Sequence, residues 1–213
     1  GNYVLAPDYA SVGHDEYSDL NAYINNLRSG KYIVSDKDGN YGVVGRDGNV
    51  IIPMKYSEIT QDGDLYLVTL NEEGQENMLV QWLDASGNVV IDKNIGFASN
   101  FGDGKYAAAF DNDSQKWGFL DREGNWKLEP SIDGFAYSFD ANGFAVVSDK
   151  NARTGLIDET GKFVISQEYD NITPIKGTDR YIFTSGKNAG IMDKTGKITV
   201  NPKYQWAGGI YSG

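Results

Sequence analysis

Four aspartates recur at one offset. Asp84, Asp121, Asp158 and Asp193 each stand three residues before a glycine, namely Gly87, Gly124, Gly161 and Gly196. Carboxylates serve as acid–base groups and as ligands for hard cations, so their placement is the first place to look for chemistry. A working acid–base pair must converge within about 5–10 Å. Equivalent offsets place each of these four in its own segment of chain. The spacing fits a turn instead, in which the carboxylate accepts backbone N–H groups and the glycine supplies a positive φ. The non-repeated acids Glu129, Asp133, Asp140 and Glu168 are the candidates for a hydrolase, and nothing in the sequence brings two of them together.

Other chemistry is thinly represented. Asp36, Asp38 and Asn40 open like a calcium loop, but no glutamate stands at the twelfth position, and a solvated hairpin turn is the competing reading. His14 is the single histidine and there is no cysteine, so neither a histidine-based triad nor a zinc site can be assembled. The glycines sit in hairpins, without the helix N-terminus that phosphate binding uses. No cofactor is expected. Aromatic residues that depart from the periodic pattern are the candidate binding groups: Trp126, Tyr137 and Trp206. Aromatic faces stack on sugars or receive peptide side chains, although ordinary core packing is the more economical reading of such residues.

The elements that position these groups come from a repeat. Anchored on Gly48, Gly87, Gly124, Gly161 and Gly196, the steps are 39, 37, 37 and 35 residues. Apolar residues stand two and four positions after each anchor, as in Val50 and Ile52 or Phe163 and Ile165. The runs flanking each turn predict a hairpin. A third strand is expected at Tyr66–Val68, Tyr106–Ala109, Phe144–Val147 and Tyr181–Phe183, and a shorter fourth at segments such as Phe135–Phe139. The run Trp117–Leu120 is apolar on both faces, which predicts a strand covered on both sides. The strand after the turn is half polar and suits an outer edge.

Five such units predict an all-β repeat protein, with a closed five-bladed β-propeller as the expected architecture and an open twisted array of β-hairpin repeats as the alternative. The chain starts part-way through a unit at Tyr32–Val34 and ends with Asn201–Ala207, so ring closure by strands from both ends is expected. Residues 31–213 are expected to form one domain of five repeats, and residues 1–30 an extension. Within that extension, Leu20, Tyr23, Ile24 and Leu27 fall at helical spacing, the alternative being an innermost strand at Leu20–Ile24.

Composition narrows the partners. The net charge of the 213 residues is −11, which opposes binding to phosphate backbones and anionic membrane surfaces. No apolar run reaches the ~20 residues of a membrane helix. Gly1 reads as a truncation or cleavage scar.

Trp117-Gly118-Phe119-Leu120-Asp121 with Gly124 resembles the signature of WG-repeat proteins, as do Tyr41-Gly42-Val43-Val44 with Lys55-Tyr56 and Gly190-Ile191-Met192-Asp193 with Pro202-Lys203-Tyr204. The resemblance implies a bacterial repeat protein, secreted or associated with the cell envelope, that binds or scaffolds and has no catalytic residues of its own. The expected ligand class is a protein, peptide or glycan. A glycan hydrolase using the non-repeated carboxylates is the alternative.

Overall fold

The computed structural model describes residues 11–12, 30–70, 78–102 and 104–205. The sequence segments read as a helix or strand at His14–Leu27, and Trp206, lie outside the described residues. The described chain is all β. In order the strands are β1 (Ser11–Val12), β2 (Lys31–Ser35), β3 (Tyr41–Gly45), β4 (Val50–Asp62), β5 (Leu65–Leu70), β6 (Leu79–Leu83), β7 (Val89–Ala98), β8 (Ala107–Asp111) and β9 (Lys116–Leu120). They continue with β10 (Trp126–Ile132), β11 (Phe144–Ser148), β12 (Thr154–Asp158), β13 (Phe163–Tyr169), β14 (Asn171–Pro174), β15 (Arg180–Ser185), β16 (Asn188–Asp193) and β17 (Ile198–Tyr204).

The expected closed five-bladed propeller is not what these strands form. They make three open antiparallel sheets, β1 to β10, β11 to β13 and β14 to β17, each in sequence order and none closed on itself. Part of the reason lies in strand continuity. β4 is 13 residues long; its first half pairs with β3 and its second half with β5, so two repeats share one unbroken strand rather than forming separate blades. The ends of the chain do not complete one another either: β2 takes its first-position neighbour from Ser11–Val12, and among the described residues β17 pairs with β16 alone.

The periodic turns are where the sequence places them. Gly48, Gly87, Gly124, Gly161 and Gly196 have φ between 82° and 86°. Asp84 Oδ1 accepts the N–H groups of Ser86 and Asn88, and Asp158 and Asp193 repeat the pattern with Thr160 and Lys162 and with Thr195 and Lys197. In the first repeat, where Gly45 replaces the aspartate, Asp47 takes over and accepts from the Asn49 backbone.

These bonds hold the turn carboxylates below the usual aspartate range. For Asp158 and Asp193 the threonine hydroxyl two residues on is the largest cause, for Asp84 the Asn88 side chain, and for Asp36, Asp47 and Asp149 a backbone N–H bond. A lowered folded-state pKa adds stability above the unfolded value, about 3.9, and that stability is lost as pH falls through the lower folded values. The thermal midpoint is therefore expected to be insensitive to these groups near neutrality and to drop below about pH 4. Thermal melts of Asp158→Asn against the parent chain across that range check it: the variant should show a shallower acid loss, and identical profiles would contradict the assignment.

The other motif glycine has a separate reason. In every repeat the outer strand carries a bulge: Phe119 faces Leu128 while Trp117 faces Ile132, and the same offset recurs at Val43/Ile52, Trp82/Ile91, Leu156/Ile165 and Ile191/Val200. The bulged backbone leans onto the inner strand. A Cβ on Gly42, Gly118, Gly155 or Gly190 would stand 2.5, 2.8, 2.6 or 2.7 Å from a carbonyl oxygen of the outer strand. The second repeat has Gln81 at this place, and its side chain reaches along the sheet to Asp92 Oδ1 at 2.8 Å.

The chain divides into two compact units, Gly1–Gly96 and Phe97–Gly213. The core of the first gathers Ile33, Val43, Ile52, Tyr56, Tyr66 and Leu83. In the second, β11 is covered on both faces. Ala145 and Val147 pack with Ala108, Trp117 and Phe119, whereas Val146 packs with Ile172, Tyr181 and Phe183. Each large apolar side chain so buried contributes about 1.5–3 kcal/mol. The turn glycines also serve this stacking: a Cβ on Gly161 would meet Leu128 of the preceding repeat at 3.4 Å, and one on Gly196 would meet Ile165 at 3.3 Å.

Candidate functional site

The fourth strand of the repeat is regular at β14 but not at residues 133–140. There it makes one isolated bridge, Ala136 to Val147. Gly134 sets this up, because its backbone lies so close to Ser148 that a Cβ would fall 2.3 Å from that residue's carbonyl oxygen. The Ser148 hydroxyl then accepts the Phe135 N–H at 2.7 Å, and Tyr137 N–H donates to the Val146 carbonyl at 2.9 Å. The segment is held at a few points and its alternate side chains face outward. Phe135 is 47% exposed and Tyr137 55% exposed, while Ala136 between them is buried.

These two rings end an aromatic run. Phe97, Phe110, Trp117, Phe135 and Tyr137 follow one another with centroid separations of 6.1, 5.6, 4.7 and 5.1 Å. Edge and tilted contacts of this kind add about 0.5–1.5 kcal/mol per pair and hold the outer rings in place.

Behind Tyr137 lies a mainly apolar cavity of about 320 Å³, lined also by Phe144, Ile172, Thr173, Pro174 and Tyr181. Its polar corner is a latch. Tyr181 Oη donates to Asp140 Oδ2 at 2.5 Å, and Asp140 Oδ1 accepts the N–H groups of Asn142 and Phe144. Burial first, and the Asp140 carboxylate second, push the Tyr181 phenol far above its usual range, so it remains a donor. Asp140 thus has a structural task, closing a turn to Gly143 that lies outside the main register. A neighbouring cleft of about 810 Å³ shares Ser138, Asp140 and Pro174 and adds Phe101, Lys176 and Asp179.

The acids singled out from sequence distribute unevenly. Glu129 and Asp133 meet, with Asp149, in a further cleft of about 630 Å³ between the edges of β10 and β13. Asp133 pairs with Lys116 at 3.0 Å, and Asp149 Oδ1 is taken by the N–H groups of Asn151 and Arg153, which lowers its pKa. A lowered pKa suits neither a proton donor nor a base near neutrality. Glu168 does not line this cleft. Asp36, with Oδ1 on the Asp38 and Asn40 backbone and Oδ2 on the Asn40 side chain, is engaged by its own turn. Among the described residues no group of three or more His, Cys, Asp or Glu is placed to hold a metal ion. Trp126 is half-buried on β10, its ring edge over Gly118, where an added Cβ would meet it at 2.9 Å.

Sequence reasoning singled out Tyr137 as a candidate but not its setting. Phe144 and Tyr181 read as strand residues and Asp140 as an isolated acid. The available signal was Asp140-Ala141-Asn142-Gly143, one more Asp-x-x-Gly turn, standing off the period.

The family model for the WG containing repeat matches residues 41–72, 117–151, 155–184 and 190–213, more than half of the chain. The chain belongs to the WG containing repeat family. The unmatched stretch includes the second repeat, whose Gln81 replaces the motif glycine. No curated protein matches the chain. Among solved structures, Kluyveromyces lactis Hsv2 superposes with a TM-score of 0.51 at 12% identity, covering 79% of this chain and 59% of that one. BamB from Moraxella catarrhalis gives 0.44 at 14% identity, covering 79% and 56%. The chain therefore spans less than two thirds of the length of these proteins. At this identity the first likeness speaks to fold alone.

Proposed function

We propose that this chain is a non-catalytic binding or scaffold module that receives its ligand over Tyr137 and the cavity behind it. The observation that carries the reading is the half-exposed ring of Tyr137 on the lining of an apolar cavity, with half-exposed Phe135 packed beside it; the comparably exposed rings Phe97 and Phe163 do not line this cavity. Exposed rings beside a concave apolar surface are the usual makings of a ligand site. A protein, peptide or glycan partner fits that description. The resemblance to WG-repeat proteins supports a secreted or envelope-associated setting in a bacterium. Among the described residues no helix is long and apolar enough to cross a membrane.

The hydrolase reading draws less support, because Asp133 and Asp149 are engaged by Lys116 and by a turn. A glycan and peptide array probed with the parent chain and with Tyr137→Ala tests the proposal. Ligands of the parent should lose at least roughly tenfold in affinity in the variant, the scale of losing one stacked ring at a contact centre. Array hits that Tyr137→Ala binds equally well, or turnover of a glycan on the array, would contradict it.

A further inference from the structure

We infer that the cavity behind Tyr137 seats an organic cation, the lysine side chain of a basic peptide partner. The inference rests on the proposal that this cavity is the ligand site and names what enters it. Three aromatic rings line the cavity, those of exposed Tyr137, half-buried Phe144 and buried Tyr181. Ring faces attract cations through their quadrupole. The lining residues include one carboxylate, Asp140, and no Lys, Arg or His.

The charged corner of the cavity offers acceptors. The Tyr181 hydroxyl gives its hydrogen to Asp140 and keeps its lone pairs. A donating group can reach the Asp140 carboxylate and the Tyr181 oxygen in this corner, and an ammonium group is three donors with no acceptor. An anion would meet the Asp140 carboxylate. Lys176 lines the neighbouring cleft instead.

Size and surroundings choose the source of the cation. About 320 Å³ admits the end of a side chain, not a folded element. Beside the opening, Phe135 continues the exposed apolar surface, which a peptide flanking its lysine covers and a small free cation leaves wet. The chain's net charge of −11 draws basic peptides toward it.

Calorimetric titration of the full chain with three probes tests the inference: a short lysine-containing peptide, the same peptide with norleucine in place of lysine, and tetramethylammonium chloride. The lysine peptide should bind, the norleucine peptide roughly tenfold or more weakly, and affinity should fall as salt rises. Tyr137→Ala should remove this binding. Thr173→Lys, which sets a fixed cation at an exposed rim position, should remove it too, and circular dichroism of both variants shows whether they remain folded. Equal affinity for the norleucine peptide overturns the cation seat but leaves a Tyr137-dependent ligand site standing. Binding of tetramethylammonium without the lysine peptide overturns the peptide source. Binding of no probe, or lysine-peptide binding unchanged in both variants, overturns the inference outright.

Discussion

Gly118→Ala should destabilise the chain by about 1–3 kcal/mol, the range for forcing extra volume into a closed structure. The added methyl would lie 2.8 Å from both the Leu128 carbonyl oxygen and the Pro130 nitrogen, and 2.9 Å from the Trp126 ring. Two of these three neighbours are backbone, so no rotamer change relieves the clash. The φ of Gly118 is not in the left-handed region, so the cost is steric rather than conformational. Urea unfolding followed by circular dichroism measures it. A midpoint equal to that of the parent chain would mean that the bulge of β10 yields, and that the glycine of the Trp-Gly pair does not set the spacing between inner and outer strands.

Leu156→Ala should cost about 2–5 kcal/mol, the measured span for emptying a buried leucine site. Leu156 is fully buried on β12 and packs with Ile165, Ile172, Tyr181 and Phe183, so it joins one sheet of the second unit to the next. Loss of this side chain weakens the stacking of repeats rather than a single hairpin. The same urea experiment reads the effect. A loss below about 1 kcal/mol, the level of a surface change, would contradict face-to-face packing of these sheets.

Much of the local structure was legible because it is periodic. Asp84, Asp158 and Asp193 with their glycines fixed the turns, and the doubly apolar run at Trp117–Leu120 fixed a strand buried on both sides. What one repeat does not encode is how strands are shared between repeats. Val50 to Asp62 reads as an outer strand and a separate, shorter fourth strand, yet the chain extends through both without a break, and the expected ring of separate blades gives way to open sheets. The turn glycine also carries a packing role, against Leu128 and Ile165 of the preceding repeats, that its φ alone conceals.

The candidate site was legible only where it breaks the pattern. Tyr137 stood out because its segment was expected to line a propeller axis, and because the matching segment of the second repeat, Phe97–Phe101, has Ser99 in its place. Its cavity depends on Tyr181 and Phe144, which are ordinary strand residues in sequence, and on Asp140, whose partner lies 41 residues away. Such a contact follows from the stacking of two repeats, and neither repeat announces it.

The most direct measurement compares dissociation constants for an array-identified ligand across the parent chain, Tyr137→Ala and Phe163→Ala. Phe163 is an equally apt control: it is 46% exposed, occupies a periodic outer-strand position and lines the cleft of Glu129 and Asp133. Affinity should collapse in Tyr137→Ala and hold in Phe163→Ala. A ligand that is lost with Phe163 and kept without Tyr137 would place binding in the acidic cleft and contradict the account.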